Sequence, residues 1–461
     1  MTRKEVPAMT RRLARQPENL LIHGGRIIDP SQQLDAVGAL FISDGRIAWL
    51  STGQTVSLPE DCMVIHAEGM VVCSGFVDIH CHLRQPGFEE KETIATGTRA
   101  AARGGFTTIC CMPNTDPPID TRATVEYVKN VAATEGVVRV LPVGCVTKGR
   151  AGSELADLGE LSASGVVAFS DDGRPVADSS LMRRALEYSR DSGLPIIDHC
   201  EDLSLSRGGV VNEGSAAIRL GLRGIPAAAE VKMVARDIDL ARSTGGRLHI
   251  AHVSTAGSAD LIRRAKDEGV SITAEVTPHH LTLTEEMVIG NNTSAKVNPP
   301  LRTAEDLAAL ILGLKEGVID IVATDHAPHT AEDKMCDFAQ AAFGISGFET
   351  ALGSLVKLVH QGRISMAMLI SKLTHQPALF LRRSDLGTLR AGAAADVTVF
   401  DPEMEWAVKP DDFVSKGKNT PLAGCVVRGK VMATVFGGAI VYQDEAVGTE
   451  PMYAGSEVGG G

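Results

Sequence analysis

The sequence predicts an α/β protein, a (β/α)8 TIM-like barrel with a small β-sandwich domain built from both termini. Three observations carry that prediction. Between residues 71 and 387, short apolar strands alternate with helical stretches eight times, as parallel βαβ units buried on both faces do. Most of those strands stay apolar until their last residues and then present His, Asp or Asn, and in such barrels the carboxyl ends of the strands form the functional face. Residues 18–70 and 388–446 are both strand-rich and flank the α/β middle, so one small domain made from the two ends accounts for them.

In chain order, residues 1–17 (MTRKEVPAMTRRLARQP) are polar and aperiodic and read as a disordered tail, with Met9 as an alternative start. Residues 20–70 hold short apolar strands with hairpin signals, the clearest being Asp44-Gly45 between ALFIS and RIAWL. The eight strands of the middle read MVVCSGFVDIHCH, FTTICCMPN, VRVLPVGCV, GVVAFSDD, LPIIDHCED, RLHIAHVST, SITAEVTPHH and IDIVATDHAPH, with helices such as 151–162 and 256–268 between them. Strand, glycine turn and strand return in AADVTVFDP and CVVRGKVMATVFGGAIVY, and 447–461 reads as a loose C-terminal tail.

Composition excludes several classes. With 45 Lys and Arg against 57 Asp and Glu, the net charge of −12 argues against nucleic acid as a partner, since polyphosphate binding needs a clustered basic surface. No apolar run approaches the roughly 20 residues of a membrane helix and the start lacks the apolar core of a signal peptide, so the expectation is a cytoplasmic protein with no membrane partner. Nine cysteines without a CxxC pair agree with a reducing compartment. A homo-oligomer is the expected assembly.

The chemistry sits at the strand ends. His80 and His82 end the first strand two residues apart, on the same side, and so can share one metal ion; Cys81 between them is expected to pack in the core. His199 ends strand five, His252 strand six and Asp325 strand eight, at the same rim. Of the adjacent Asp171 and Asp172 that end strand four only one can face the axis, and we take Asp172. Imidazole and carboxylate donors suit zinc. Arg84, two residues beyond His82, offers a planar fork for a substrate carboxylate.

The runs DIHCHLRQPG, CMPNTDP, AFSDDG, DHCED, AHVS, VNPPLR and ATDHAPH, in this order, resemble the class I dihydroorotases of the amidohydrolase superfamily over nearly the whole chain. The resemblance implies that His80, His82, Asp172, His199, His252 and Asp325 form the shell of one or two zinc ions. It implies that Asn114 and His329 join Arg84 at the substrate carboxylate, and that Asn298 with the Phe343-Gly344 backbone holds the ring amide. The implied reaction is reversible closure of N-carbamoyl-L-aspartate to L-dihydroorotate in de novo pyrimidine biosynthesis, with Asp325 relaying a proton to the ring nitrogen. His279 and His280 are assigned no role, and His326 is expected to support the site from behind. The polar stretch 330–342 occupies the position of a mobile lid.

Two other readings share parts of the pattern. Hydantoinases, dihydropyrimidinases and allantoinases place a carboxylated lysine on the fourth strand, and this sequence has none there. A silent scaffold serving aspartate transcarbamoylase would be free to lose ligands, whereas all six candidates are present; an active enzyme in complex with that partner stays compatible.

Overall fold

The computed structural model describes residues 19–53 and 62–452; the expected tail at 1–17 and residues 453–461 lie outside them. β1 (Asn19–Asp29) pairs antiparallel with β2 (Leu34–Ser43), and β2 with β3 (Arg46–Thr52). Asp44 and Gly45 between them have φ of 52° and 69°, the positive pair that lets a two-residue turn match the strand twist. β4 (Cys62–His66) and β5 (Val71–Ser74) run parallel to β1 along its other edge.

The middle of the chain forms two parallel arcs. β6 (Phe76–Cys81), β7 (Phe106–Cys111) and β8 (Arg139–Pro142) make the first, in that order. β9 (Phe169–Ser170) and β10 (Ile196–Asp198) begin the second, and β11 (Val211–Asn212) and β12 (Gly224–Ile225) pair only with each other. β13 (Leu248–Ile250), β14 (Ile272–Val276) and β15 (Ile321–Val322) complete the second arc in the order β15-β14-β13-β10-β9. Isolated parallel bridges join the arcs at both edges, Gly144 to Phe169 and Cys81 to His326.

A helix follows each strand of the arcs: Ile94–Arg103, Arg122–Glu135, Leu158–Ser164, Ser179–Ser192, Ala227–Thr244, Ala256–Asp267, Ala304–Glu316 and Phe348–His360. Thr93, Thr121 and Thr303 open three of them with capping boxes, satisfying amides that have no partner within the helix. The helix expected over 151–162 starts only at Leu158, because Asp157 caps Glu160 N and the preceding residues are drawn into a bridge between Thr147 and Leu155. Side chains from both arcs, among them Val77, Ile79, Met112, Val143, Ile197, Ala251 and Ile321, pack on one another in a core separate from the one beneath the helices. No helix among the described residues is long and apolar enough to cross a membrane.

β16 (Val397–Ala407), β17 (Val426–Phe436) and β18 (Ala439–Gln443) return antiparallel beside β5. All these outer strands form one continuous nine-stranded mixed sheet, where the sequence suggests the two separate sheets of a sandwich. The reason is β1, which hydrogen-bonds β2 on one side and both β4 and β5 on the other and so keeps the ladder unbroken. The sheet curls until Ile27, Leu40, Ile42 and Ile47 share a core with Val397, Val399 and Val435. The expected loose tail over 447–461 is corrected over its first part: β19 (Thr449–Met452) pairs antiparallel with β4 and occupies an edge that would otherwise expose unpaired amides.

Asp29 locks the first strand to the returning chain. Its Oδ2 accepts from Leu389 N at 2.7 Å and Gln32 Nε2 at 2.7 Å, and its Oδ1 accepts from Ser31 N at 2.9 Å, in a buried setting. Asp29→Ala strands those donors and is expected to cost about 2–3 kcal/mol, read as a shift of the urea midpoint. A loss below about 0.5 kcal/mol would mean the two ends are held together without it.

Candidate metal centre and substrate cleft

Every strand-end residue that the sequence singles out lies in or against one cleft of about 180 Å³, whose walls include His82, Arg84, Asn114, Asp172, His199, His252, Asn298, Asp325, His329, Phe343 and Gly344. His80 lies fully buried immediately behind it. The backbone is unusual at this rim: Arg84, His252 and Asp325 have φ of 63°, 31° and 46°, left-handed values that non-glycine residues keep only where the surroundings enforce them. Two bonds that tie the first strand to the chain beyond β15 help enforce them, Asp325 N to His80 O at 3.0 Å and His82 N to His326 O at 2.8 Å.

Asp172 is the hub. Its Oδ1 lies 3.4 Å from His80 Nε2, 3.6 Å from His199 Nδ1 and 3.5 Å from His252 Nε2, while Oδ2 lies 3.4 Å from His82 Nε2. Asp325 Oδ1 stands 3.0 Å from His82 Nε2 and 3.6 Å from His80 Nε2. Asp171, which precedes Asp172, turns the other way, accepting from Val146 N at 2.9 Å and Thr147 N at 3.1 Å, so alternation just beyond β9 sends one carboxylate to the cluster and the other to loop support.

These side chains fit a metal centre. Donors bound at 2.0–2.2 Å to one tetrahedral ion stand roughly 3.3–3.6 Å apart; the contacts of Asp172, at 3.4–3.6 Å, have that spacing, while His82–Asp325 and His199–His252 are closer at 3.0 and 2.9 Å. His80 Nε2 and Asp172 Oδ1 are buried without a hydrogen-bond partner, although buried polar atoms nearly always have one. Two triads of donor atoms lie close enough to share an ion, His80, Asp172 and His252 in one and His80, His82 and Asp325 in the other, with His199 beside Asp172. The electrostatics ask for positive charge. Burial by itself would push His80 down, yet the Asp172 and Glu275 carboxylates hold it well above its ordinary value. His199 rises to about 10 against its burial because of Asp172 and Glu201. Asp172 and Asp325, despite burial, are held far below the usual carboxylate range by the imidazoles around them.

A layer of partners behind the donors fixes which ring nitrogen faces the centre. Glu275, fully buried on β14, takes His80 Nδ1 at 2.5 Å and lies 3.2 Å from His249 Nε2. Asn114 Oδ1 takes His82 Nδ1 at 2.8 Å, which leaves the Asn114 amide NH2 as its remaining donor group. Glu201 lies 3.3 Å from His199 Nε2 and accepts from Asn298 Nδ2 at 3.0 Å. Arg150 donates to Asp172 O at 2.6 Å. His326 accepts from Gly347 N at 3.1 Å, stacks on Phe348 and faces Glu92, so it braces the rim from behind. His280 is occupied by Thr277 and Pro299, and Cys81 is buried with its thiol against Cys110 O.

Sequence reasoning misses Glu275, Glu201, Arg150 and Asn419. A signal exists for the first: ITAEV is an apolar strand with one carboxylate, and a charge buried there needs a partner. None exists for Asn419, which comes from the loop between β16 and β17 yet accepts from His329 N at 2.9 Å and donates to Ala327 O and Gly344 O, both at 3.0 Å.

Arg84 faces the cleft opposite the metal donors. Its hydrogen bonds go to Pro328 O at 3.2 Å and His329 Nε2 at 3.2 Å, with no carboxylate among them, and burial pulls it down to about 10. A guanidinium so placed calls for an anion. His329 is pushed down to about 3 by burial and by Arg84, Lys334 and Lys91, and so stands neutral beside it.

Comparison with known proteins agrees with this geometry. The profile of the family described as Dihydro-orotase-like matches residues 69–258. The dihydroorotase of Citrifermentans bemidjiense is 50% identical over 425 residues, 92% of this chain and 100% of that protein. That of Caldanaerobacter subterraneus subsp. tengcongensis is 55% identical over 384 residues, 83% of this chain and 89% of that one. Among solved structures, the L-hydantoinase (dihydropyrimidinase) of Arthrobacter aurescens aligns with a TM-score of 0.83 at 25% identity, covering 94% of this chain and 98% of that one. The dihydropyrimidinase of Brevibacillus agri aligns at 0.80 and 23%, a likeness of fold, with 92% of this chain and 95% of that one covered.

Because Glu275 sets the orientation of His80, Glu275→Gln is expected to weaken metal retention about 10–100-fold in chelator competition while the circular dichroism spectrum stays the same. Unaltered retention would show that His80 is oriented without it.

Proposed function

The chain belongs to the dihydroorotase family, and from that premise we propose how its own residues carry the reaction, the reversible closure of N-carbamoyl-L-aspartate to L-dihydroorotate. The observation that carries the reading is the half-buried Arg84, with no carboxylate hydrogen-bonded to it among the described residues, in the same cleft as a buried cluster of imidazoles and carboxylates. A ring amide that also bears a carboxylate fits both halves. We read the two parallel arcs, joined by bridges at both edges and packed on a shared inner core, as one closed (β/α)8 barrel with this cleft at its carboxyl rim.

In this reading His80, His82, Asp172, His199, His252 and Asp325 would hold one or two zinc ions. Bound there, zinc polarises the amide carbonyl and brings the acidity of water into the neutral range. Arg84, the Asn114 amide and His329 take the substrate carboxylate, which fixes the ring against the donors. Asn298 and the Phe343-Gly344 backbone hold the ring amide groups. Asp325 accepts the proton that the attacking water loses and delivers it to the ring nitrogen as the amide C–N bond breaks; in closure the same carboxylate takes that proton back. The released ureido nitrogen stays tethered to the carbon chain it must rejoin, so its effective concentration keeps both directions accessible. Asp172 stands where hydantoinases resembling this pattern carry a carboxylated lysine, and Arg84 addresses a carboxylate that neutral rings lack; both favour dihydroorotate. An aspartate transcarbamoylase complex and a homo-oligomer are compatible with this reading, and turnover by the isolated protein separates the first from a scaffold.

The purified, zinc-loaded protein is expected to open L-dihydroorotate, to lose that activity on chelation and to leave dihydrouracil, hydantoin and allantoin intact; turnover of a neutral ring instead would sink the carboxylate argument. Arg84→Met is expected to raise KM for dihydroorotate about 10–100-fold, the scale of a lost charged hydrogen-bond pair. Asp325→Asn is expected to lower kcat by at least about 100-fold with the fold retained, and near-normal turnover would remove the proton relay.

A further inference from the structure

The segment 330–343 follows the last parallel strand and is polar in sequence. Position along the chain suggests a mobile lid; its contacts are those of a strap pinned by two lysines, Lys296 outside the segment and Lys334 within it. Lys296 and Lys334 are only 2% and 5% exposed. Lys296 Nζ donates to Phe338 O at 2.8 Å and Ala339 O at 3.0 Å, and lies 4.5 Å from the centre of the Phe343 ring. Lys334 Nζ donates to Ala342 O at 2.6 Å, Thr293 O at 3.1 Å and Lys296 O at 3.2 Å. Main-chain bonds of the same residues close the arrangement: Gly344 N donates to Lys296 O at 2.9 Å and Thr293 Oγ1 to Lys334 O at 2.7 Å. Phe338 inserts between the two anchors into a core with Val211, Ala295, Val297 and Ile345.

The hydrogen-bond partners of both ammonium groups are main-chain carbonyls. An ammonium held that way is costly to bury, and burial draws Lys296 down to about 8 and Lys334 to about 7. The expense secures the path of one stretch of backbone that ends at Phe343 and Gly344 in the cleft wall. Gly344 itself leaves no room for a side chain, since a Cβ there would stand 2.6 Å from Ala327 O.

We propose that Lys296 and Lys334 are positioning residues that hold 330–343 closed before substrate arrives, so that the Phe343-Gly344 backbone is preformed against the substrate ring. The second half of this proposal rests on the assignment of the cleft as the dihydroorotate site. Preforming the wall spares the substrate the cost of ordering a loop, so the loss of a lysine falls on binding.

Hydrogen exchange and steady-state kinetics test it together. In the wild-type protein without substrate, the internally bonded amides of Met335, Ala341, Ala342 and Gly344 are expected to exchange slowly, and saturating L-dihydroorotate to change their rates less than about threefold. In Lys296→Met and Lys334→Met the same amides are expected to exchange at least about tenfold faster. KM for dihydroorotate is expected to rise about tenfold with kcat within about threefold and metal content unchanged, and Lys334→Gln, which keeps two N–H donors, to fall between wild type and Lys334→Met. The proposal is overturned if the wild-type segment exchanges freely until substrate is added, or if the metal-loaded Met variants keep wild-type exchange and KM. Should those variants fail to fold, the wild-type exchange decides alone. Slow exchange in a protein that does not turn over dihydroorotate would uphold the strap and reject the substrate.

Discussion

Four imidazoles and three carboxylates, those of His80, His82, His199, His252, Asp172, Asp325 and Glu275, are buried around one small space, and the cost of placing them there governs the architecture about them. Carboxylates sealed from water must either take up protons or find positive charge. Here the carboxylates raise His80 and His199 above the ordinary imidazole value despite their burial, so the cluster favours positive charge at its centre. The supporting groups follow from the same demand. Glu275, Glu201 and Asn114 each occupy the ring nitrogen that faces away from the centre, and Arg150 and the loop amides of Val146 and Thr147 fix the two aspartates in opposite directions.

Convergence on one point is a requirement that regular strands cannot meet alone. His80 lies at the end of its strand, but the other donors lie just beyond the strands of the arcs, where the backbone at His252 and Asp325, and at Arg84 beside them, is left-handed. Such conformations persist because the surrounding hydrogen bonds over-determine them. Neighbouring turns are bonded to each other, His82 to His326 and Asp325 to His80, so a donor from the first strand and one from beyond the last share a single rigid frame.

The outer sheet contributes more than a cover for the chain ends. It is anchored where the first parallel strands begin, through Thr398 Oγ1 to Gly105 O at 2.6 Å and Arg139 Nη1 to Asp396 Oδ2 at 2.7 Å. Its β16–β17 loop then reaches the opposite rim, where Ser415 takes Glu92 and Asn419 braces His329, Ala327 and Gly344. One stretch of chain thereby fixes both the attachment of the sheet and the wall of the cleft.

Much of this was legible from residue order alone. Alternating apolar strands and helices set the α/β class, and His80, His82, Asp172, His199, His252 and Asp325 were recognisable because each follows an apolar run at a strand end, a local pattern with a local cause. The Asp44-Gly45 hairpin was readable for the same reason. Tertiary structure alone decided the rest. Whether two sheets or one continuous sheet forms depends on β1 bonding three strands at once, and whether 449–452 is tail or strand depends on an open edge at β4 hundreds of residues earlier. The partners of the site residues, such as Glu275 for His80 and Asn419 for His329, meet them across distances in sequence that no periodicity encodes. The stretch 330–342 looks mobile by its position after the last strand, and only the buried ammonium groups of Lys296 and Lys334 show where its backbone is held, because what restrains a loop is the protein it packs with.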